Sequence, residues 1–237
     1  MTKRNRKIGI VCMFLYLICL TGSARMTELS EKGTAEETAD GSRTEARGEN
    51  SGKEMLKIAM TFDDGPSVYT EQLLDGLKER EVKAAFFLIG RSAEEYPEVV
   101  RRIDREGHLI GNHTYNHVQI KGLPAGEAKE EIEKTDRAVY ELTGKHTAYI
   151  RPPFGAWEED LELDYEVLPA MWTIDPLDWT TENIDEIVDR VVTQAGENDI
   201  ILLHDCYESS VEAALRIIDI LQGEGFEFVR VDELIIE

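Results

Sequence analysis

Cysteine is scarce in this chain of 237 residues, which contains three. Two of them, Cys12 and Cys19, lie in the apolar run Ile8–Leu20 and leave the chain if that run is a cleaved leader. Only Cys206 then remains, which excludes an intramolecular disulfide, so stability has to come from the hydrophobic core. We expect Cys206 to be a small buried residue rather than a redox-sensitive thiol or a metal ligand.

Positive charge is also in short supply. The chain has 26 Lys and Arg against 48 Asp and Glu, a formal net charge of -22 at pH 7. Such a charge repels the phosphates of nucleic acids and anionic membrane surfaces. We therefore expect no nucleic-acid partner and a target that is neutral or cationic.

A hydrophobic run long enough to span a bilayer is missing. The run Ile8–Leu20 has thirteen residues, whereas a membrane helix needs roughly 20. It follows the basic stretch Lys3–Lys7 and is succeeded by the small residues Gly22–Ala24. This order is typical of a secretory signal peptide, here residues 1–24, and predicts a secreted or cell-envelope protein. An uncleaved anchor is the alternative, and only then would the chain contact a membrane.

Large apolar side chains are nearly absent from residues 25–55, which are rich in Glu, Thr, Gly and Ser. Such a segment cannot bury enough surface to offset the entropy of ordering it, so we interpret it as a disordered linker. A helix built from its Glu and Ala residues is the alternative. That helix would have no apolar stripe with which to dock.

From Leu56 onward, apolar runs that suit strands alternate with amphipathic stretches that suit helices. The runs are LKIAMTF, VKAAFFLIG, HLIGN, TAYIR, VLPAMWTI, DIILLH and FEFVRV. The predicted helices are Ser67–Arg80 with Ser67 as its cap, Ala93–Glu106, Ala125–Leu142, Glu182–Ala195 and Val211–Gln222. This alternation indicates a parallel sheet with helical crossovers. Because an eight-fold barrel has more units and an open sheet usually fewer, we predict one domain over 56–237 with an irregular (β/α) barrel.

Chemically unusual residues follow the predicted strands. They are Asp63 and Asp64 after the first, His113 and His117 after the third, Arg151 after the fourth, Asp175 and Asp178 after the fifth, and His204 at the end of the sixth. The stretch TFDDGPS alone is equally compatible with a simple turn. In a (β/α) barrel, however, all strands deliver their last residues to one mouth, which carries catalysis. The convergence therefore predicts an active site.

The stretch GNHTYNH places two histidines four residues apart, so that both imidazoles can reach one point. His-x-x-x-His alone is a weak signal and is as often a surface or core pair. With Asp64 at the same mouth, we predict a divalent metal site with Asp64, His113 and His117 as ligands and open positions for reactants. Zn²⁺ suits these ligands first, with Co, Ni, Mn and Fe as alternatives.

The remaining residues suit proton transfer. Asp63 would act as the general base toward the attacking water, with Arg151 pairing with it and holding it ionised. His204 would be the general acid, and Asp178 would orient its imidazole and raise its pKa. For Arg151 and Asp178 the alternative is an ordinary surface ion pair.

Taken in order, TFDDGP, HTYNH, RPPFG, DPLDW and LLH resemble the five motifs of the polysaccharide deacetylase family, also called the NodB-homology domain or carbohydrate esterase family 4. The resemblance implies a distorted (β/α)7 barrel and metal-dependent removal of acetyl groups from peptidoglycan, chitin oligomers or, in some members, acetylated xylan. It implies the same roles for Asp63, Asp64, His113, His117, Arg151, Asp178 and His204. It adds Trp179 and Leu202 as the lining of an acetyl pocket.

Phe154 departs from the family pattern, in which many members have Tyr. The resemblance implies that this residue offers its backbone N–H to the oxyanion, and a backbone donor survives a change of side chain. A hydroxyl contact to substrate is the interaction that the change puts in doubt. The acidic stretch WEEDLELDYE matches no motif, and we assign it no role beyond shaping the rim.

Three other functions compete with an N-deacetylase. A non-haem iron oxygenase also uses two His and one carboxylate, but it would leave Asp63 and His204 without a role. A non-catalytic glycan-binding member usually lacks a ligand or the base, and none is lost here. An O-acetyl esterase acting on acetylated xylan differs only in the substrate-binding rim loops, which the sequence does not resolve.

We expect the protein to be a monomer.

Overall fold

The computed structural model describes residues 55–157 and 161–235. The predicted signal peptide and almost all of the predicted linker lie outside these residues. Seven strands form one sheet in the described part of the chain: β1 Leu56–Asp63, β2 Ala85–Leu88, β3 Leu109–Asn112, β4 Tyr149–Ile150, β5 Leu168–Pro169, β6 Ile200–His204 and β7 Phe226–Val229. The helices are α1 Thr70–Glu79, α2 Gly90–Glu95, α3 Pro97–Arg105, α4 Ala125–Thr143, α5 Ile184–Val192, α6 Glu208–Glu224 and α7 Val231–Ile235.

Every strand pairing in the sheet is parallel, and the strand order is β5-β4-β3-β2-β1-β6, with β7 beside the first half of β1. After β5 the chain returns to the opposite edge of this order, where Ile174 forms a parallel bridge with Ile201. Parallel strands need crossover connections, and these supply the helices that cover the sheet. The sheet therefore curls back on itself, as the predicted irregular barrel requires.

Strand β1 is the centre of the fold because it pairs with β2, β6 and β7. Its residues from Ile58 to Asp63 are all buried. On one side of the sheet, Phe62 stacks on Phe86 of β2 with ring centroids 5.3 Å apart, inside a core that α1, α3, α5 and α6 complete. This packing makes β1 a rigid support for the two acids at its end.

Three local expectations need correction. The predicted helix Ala93–Glu106 is two helices, because Pro97 begins α3 and disfavours helical geometry at Tyr96, whose φ and ψ are -119° and 56°. Ser67 is not the cap of α1, since the N-cap is Tyr69 and the Ser67 hydroxyl instead accepts from the Tyr69 N–H at 3.0 Å. The fifth predicted strand is reduced to two residues and the bridge at Ile174.

No helix within residues 55–157 or 161–235 combines the length and the apolarity that crossing a membrane demands.

Candidate active site

The two acids of TFDDGPS leave β1 at the mouth of the barrel. Asp63 is the last residue of the strand, lies in register with His204 of β6, and is 3% exposed. Asp64 has a φ of 71°, a left-handed conformation that aspartate tolerates better than most residues. Consecutive side chains on a strand point to opposite faces. Because the strand ends at Asp63, both carboxylates line the same cavity.

Asp64, His113 and His117 form a cluster whose ligand atoms lie within 4.8 Å of one another. Oδ1 of Asp64 is 3.4 Å from Nε2 of His113 and 3.3 Å from Nε2 of His117. This oxygen is buried and has no hydrogen-bond partner among the described residues. An orphaned carboxylate oxygen facing two imidazole nitrogens is the arrangement that a bound cation would satisfy.

The protonation of the cluster also suits a metal. His113 donates through Nδ1 to the Arg151 carbonyl oxygen at 2.6 Å, which leaves the lone pair on Nε2. Burial is the largest influence on Asp64 and would raise its pKa, but the close contact with His113 and the other nearby imidazoles outweigh it and lower the pKa. Burial lowers the pKa of His117, although Asp64 opposes this. A carboxylate and two neutral imidazoles are the forms that bind metal.

The loop that carries His117 is held from α4. The backbone N–H and the side-chain amide of Asn116 both donate to the Glu131 carboxylate, at 2.8 and 2.7 Å. The N–H of Thr114 donates to the side chain of Asn112 at 2.9 Å. These bonds stabilise positive φ angles at Thr114 and His117, 62° and 57°. The sequence gives no sign of Glu131 because it lies among other exposed acids of the helix.

Asp63 forms a buried ion pair with Arg151, at 2.8 Å from Nη1 to Oδ1. Arg151 is 0% exposed, and it also donates to the Thr61 hydroxyl and to the carbonyls of Ala170 and Met171. Burial lowers the pKa of Arg151, while the charge and hydrogen bond of Asp63 oppose that change. Because the pair is enclosed in the barrel, the alternative of an ordinary surface ion pair is wrong for Arg151.

His204 is held by Asp178 through two hydrogen bonds. Its Nδ1 and its backbone N–H each lie 2.8 Å from one oxygen of the Asp178 carboxylate, which is 1% exposed. Burial would lower the pKa of His204, but the hydrogen bond and charge of Asp178, followed by the charges of Asp63 and Asp64, raise it to about 9. With Nδ1 engaged, Nε2 carries the proton that the imidazolium can release.

One cavity of about 410 Å³ collects these groups at the mouth, within the range typical of small-molecule sites. Of the ten predicted site residues, the eight that line it are Asp63, Asp64, His113, His117, Phe154, Trp179, Leu202 and His204. Arg151 and Asp178 lie behind Asp63 and His204, respectively, and reach the cavity only through them.

The family of this chain follows from comparison with known proteins. The model of the polysaccharide deacetylase family matches residues 51–169. A chitooligosaccharide deacetylase of Rhizobium leguminosarum bv. trifolii is 33% identical over 196 residues, which cover 75% of this chain and 91% of that protein. This chain belongs to the polysaccharide deacetylase family.

Longer relatives in the polysaccharide deacetylase family match over the same region. The peptidoglycan-N-acetylmuramic acid deacetylase PdaC of Bacillus subtilis is 39% identical over 178 residues, which cover 75% of this chain but 38% of PdaC. The chain thus spans well under half the length of this curated relative. The solved structure of PdaC superimposes with a TM-score of 0.74 at 38% identity, covering 76% of this chain and 90% of the solved one. The predicted distorted (β/α)7 barrel is confirmed.

Several residues at the mouth escaped the sequence analysis. Trp172 and Tyr207 line the cavity, and Tyr207 meets the His204 ring edge-on at a centroid distance of 6.4 Å. Asp175, which follows the fifth predicted strand but has no role predicted from the sequence, also lines the cavity, and its carboxylate accepts from the Leu177 N–H at 2.8 Å. Asp205, next to His204, is fully buried, and burial raises its pKa to about 7. From sequence alone, an aromatic or acidic residue beside a motif cannot be distinguished from an ordinary surface residue.

Three further residues with reactive side chains, His108, His146 and Cys206, do not line this cavity. His108 and His146 line a second cavity of about 230 Å³. Burial lowers the pKa of His108 to about 4, and its Nδ1 accepts from the Ala84 N–H. Cys206 is half-buried, and burial raises the pKa of its thiol to about 12, so the reactive thiolate is disfavoured.

Proposed function

We propose that the chain is a metal-dependent polysaccharide deacetylase that hydrolyses the N-acetyl groups of N-acetylglucosamine-containing glycans of peptidoglycan or chitin type. The observation that carries this proposal is that three groups of residues line or support one cavity. These are the cluster of Asp64 with two histidines, the ion-paired Asp63, and the Asp178-bound His204. The names of two relatives, a peptidoglycan-N-acetylglucosamine deacetylase and the chitooligosaccharide deacetylase, support this substrate class, whereas the name of PdaC specifies N-acetylmuramic acid in peptidoglycan.

Asp64, His113 and His117 would hold the metal ion, with Zn²⁺ the best match to their chemistry and Co, Ni or Mn as alternatives. When bound, such an ion lowers the pKa of water and polarises a carbonyl oxygen. The residues around it then supply the proton transfers. In this proposal, loss of any of the three ligands abolishes metal binding but leaves the proton-transfer residues Asp63 and His204 in place.

Asp63 is the proposed general base. Its Oδ1 is engaged by Arg151, and its Oδ2 lies on the side of the metal cluster, 3.9 Å from Nε2 of His113. As the water oxygen bonds to the acetyl carbon, a proton of that water passes to Asp63. The carbonyl oxygen gains negative charge, for which we propose the backbone N–H of Phe154 as a donor. Phe154 lines the cavity in a left-handed conformation with a φ of 62°.

His204 is the proposed general acid. Collapse of the tetrahedral adduct breaks the carbon–nitrogen bond and leaves the electron pair on the sugar nitrogen. A proton from Nε2 of His204 completes the amine, and acetate is released. A histidine with a pKa of about 9 still carries this proton at neutral pH. Amine departure from an amide depends strongly on such protonation, which favours N-acetyl over O-acetyl substrates.

The rim suits a saccharide. The side chains of Phe154 and Trp179 are 71% and 56% exposed beside the cavity, although both are large and apolar. Exposed aromatic surface at a concave site marks a binding face, and flat rings match the apolar faces of sugars. Leu202 at the floor of the cavity and Trp179 are the proposed lining around the acetyl methyl group.

Acetate release from defined substrates tests this proposal. We expect release from N-acetylglucosamine oligomers, chitin or peptidoglycan, with loss of activity in chelator and recovery on adding Zn²⁺. Asp63→Asn should be inactive, whereas the matched variant Asp219→Asn, which alters an exposed pair with Arg80, should be active. Release from acetylated xylan alone would identify an O-acetyl esterase. Metal binding with no release from any substrate would identify a non-catalytic glycan-binding member.

We also propose that the enzyme acts outside the cytoplasm as a monomer and is exported by the signal peptide 1–24, which the linker 25–55 separates from the folded domain. The support is the leader-like order of basic, apolar and small residues in the sequence. N-terminal sequencing of the secreted protein should give Arg25 as the first residue. Retention of residues 1–24 in the membrane fraction would instead show an uncleaved anchor.

A further inference from the structure

Asp205 occupies an unusual position behind the proposed catalytic groups. It directly follows His204 at the end of β6 and is 0% exposed. Its carboxyl group lies against Gly65, the residue that follows Asp63 and Asp64 at the end of β1. A Cβ atom placed on Gly65 would stand 2.4 Å from Oδ1 and 2.5 Å from Oδ2 of Asp205, so any larger residue there has to displace the carboxyl group.

Hydrogen bonds extend this contact over the whole turn after β1. Thr70, the first residue of α1, donates its hydroxyl proton to Oδ2 of Asp205 at 2.5 Å. The Ser67 N–H donates to the same Thr70 hydroxyl at 2.7 Å, and the Ser67 hydroxyl donates to the Asp205 carbonyl at 2.6 Å. The turn from Gly65 to Thr70 is thereby tied to a single residue of the neighbouring strand.

The arrangement is costly for stability alone. Oδ1 of Asp205 is buried without a hydrogen-bond partner in the described part of the chain. A buried, half-satisfied carboxyl group opposes folding, and a well-packed apolar residue would avoid that cost. Departures of this kind from local consistency are expected at functional sites.

We propose that Asp205 is a positioning residue that clamps the turn after β1 to the end of β6. This inference rests on the proposed function. Asp63 and His204 are register partners, and the strands end at this pair. The contact of Gly65 with Asp205 lies two residues beyond Asp63 and one residue beyond His204. The clamp sets the separation between base and acid and fixes Asp64 in its place among the metal ligands.

The test compares Asp205→Ala and Asp205→Asn with the matched control Asp199→Ala. Asp199 precedes β6 at its other end and accepts hydrogen bonds from the Thr173 hydroxyl and the Gly196 N–H. Zn²⁺ affinity is measured by calorimetry. The values of kcat and KM for an N-acetylglucosamine oligomer are measured by acetate release at saturating Zn²⁺. For Asp205→Ala we expect Zn²⁺ affinity to fall by about 10-fold or more, as for lost partners of metal ligands, and kcat to fall with little change in KM.

Asp205→Asn keeps the shape against Gly65 and an acceptor for Thr70, so it should recover most of both quantities. The control should match the wild type. Thr70→Val, which removes only the hydrogen bond to Oδ2, should change Zn²⁺ affinity and kcat in the same direction and serves if Asp205→Ala does not fold. Gly65→Ala should be impaired, and its effect should be strongly non-additive with that of Asp205→Ala.

Wild-type Zn²⁺ affinity and kcat in both Asp205→Ala and Thr70→Val would overturn the clamp and leave the proposed function intact. Equal impairment of Asp205→Asn and Asp205→Ala would also overturn it, because a shape-preserving side chain would then not suffice. A wild-type protein that neither binds Zn²⁺ nor releases acetate would overturn both proposals.

Discussion

Replacing Asp178 by Asn should move the alkaline limb of the pH–rate profile to lower pH. The difference between the ordinary histidine pKa of 6.5 and the value of about 9 for His204 corresponds to about 3 kcal/mol of preference for the imidazolium. Burial acts against the charged ring, and Asp178 is the strongest of the groups that oppose burial. An Asn side chain removes the charge and can accept only one of the two hydrogen bonds that His204 donates.

The sign follows from the role of a general acid, which must be protonated when the amine leaves. Activity is therefore lost as pH rises through the pKa of His204, and a lower pKa brings that loss to lower pH. If the pKa falls to about 7, the protonated fraction at pH 8 drops from about nine-tenths to about one-tenth, and kcat/KM drops about 10-fold with it. At pH 6 the two enzymes should differ much less.

The assay is acetate release from an N-acetylglucosamine oligomer between pH 5 and pH 10 with Zn²⁺ present. Asp178→Asn should show an alkaline limb at least about one pH unit below that of the wild type. His146→Gln serves as a control, since His146 lines the other cavity and should leave the limb in place. An unchanged limb in Asp178→Asn would refute the assignment, as would His204→Gln retaining more than about a tenth of the rate.

Further predictions concern the metal, the buried ion pair and the second cavity. Asp64→Ala should lose bound Zn²⁺, whereas Asp63→Asn should keep it and lose turnover by about 10²-fold or more. Metal analysis of the purified variants tests this. Loss of Zn²⁺ from Asp63→Asn would contradict the assignment of Asp64 as ligand and Asp63 as base. Arg151→Met should leave Asp63 as an unpaired buried charge and lower the free energy of unfolding by about 3–5 kcal/mol, measured by urea denaturation; an unchanged midpoint would contradict it. His108→Gln should leave the pH–rate profile unchanged, and a moved limb would connect the second cavity to catalysis.

Much of this architecture could be predicted from the periodicity of the apolar residues and from the position of polar residues at strand ends. All seven predicted strands have a counterpart in the sheet, because a parallel sheet covered by helices needs continuous apolar runs, but the fourth and fifth are only two residues long. The placement of Asp63, His113 and His204 at one mouth follows from parallel strand direction alone. The split at Pro97 was also readable in principle, but the apolar positions on either side continue the helical period and hide it.

The contacts behind the site were not predictable in the same way. Glu131 and Asp205 act through partners 15 and 138 residues away in sequence, Asn116 and Ser67. Such pairings depend on the three-dimensional crossing of elements, which no short motif records. The position of Tyr207 was also not predictable, because it depends on how the chain turns from β6 into α6. The sequence therefore indicates the reacting groups more readily than the residues that hold them.

Arg151 places two functions under one residue. Its carbonyl oxygen accepts from His113, a proposed metal ligand, while its guanidinium pairs with Asp63, the proposed base. A backbone shift at this position would move the proposed ligand, and a side-chain change would alter the surroundings of the proposed base. Under the proposed mechanism, a change in the RPPFG segment would therefore affect metal binding and proton transfer together. A larger or smaller ion at the proposed site would shift His113, and the hydrogen bond to the Arg151 carbonyl would transmit that shift to the ion pair with Asp63.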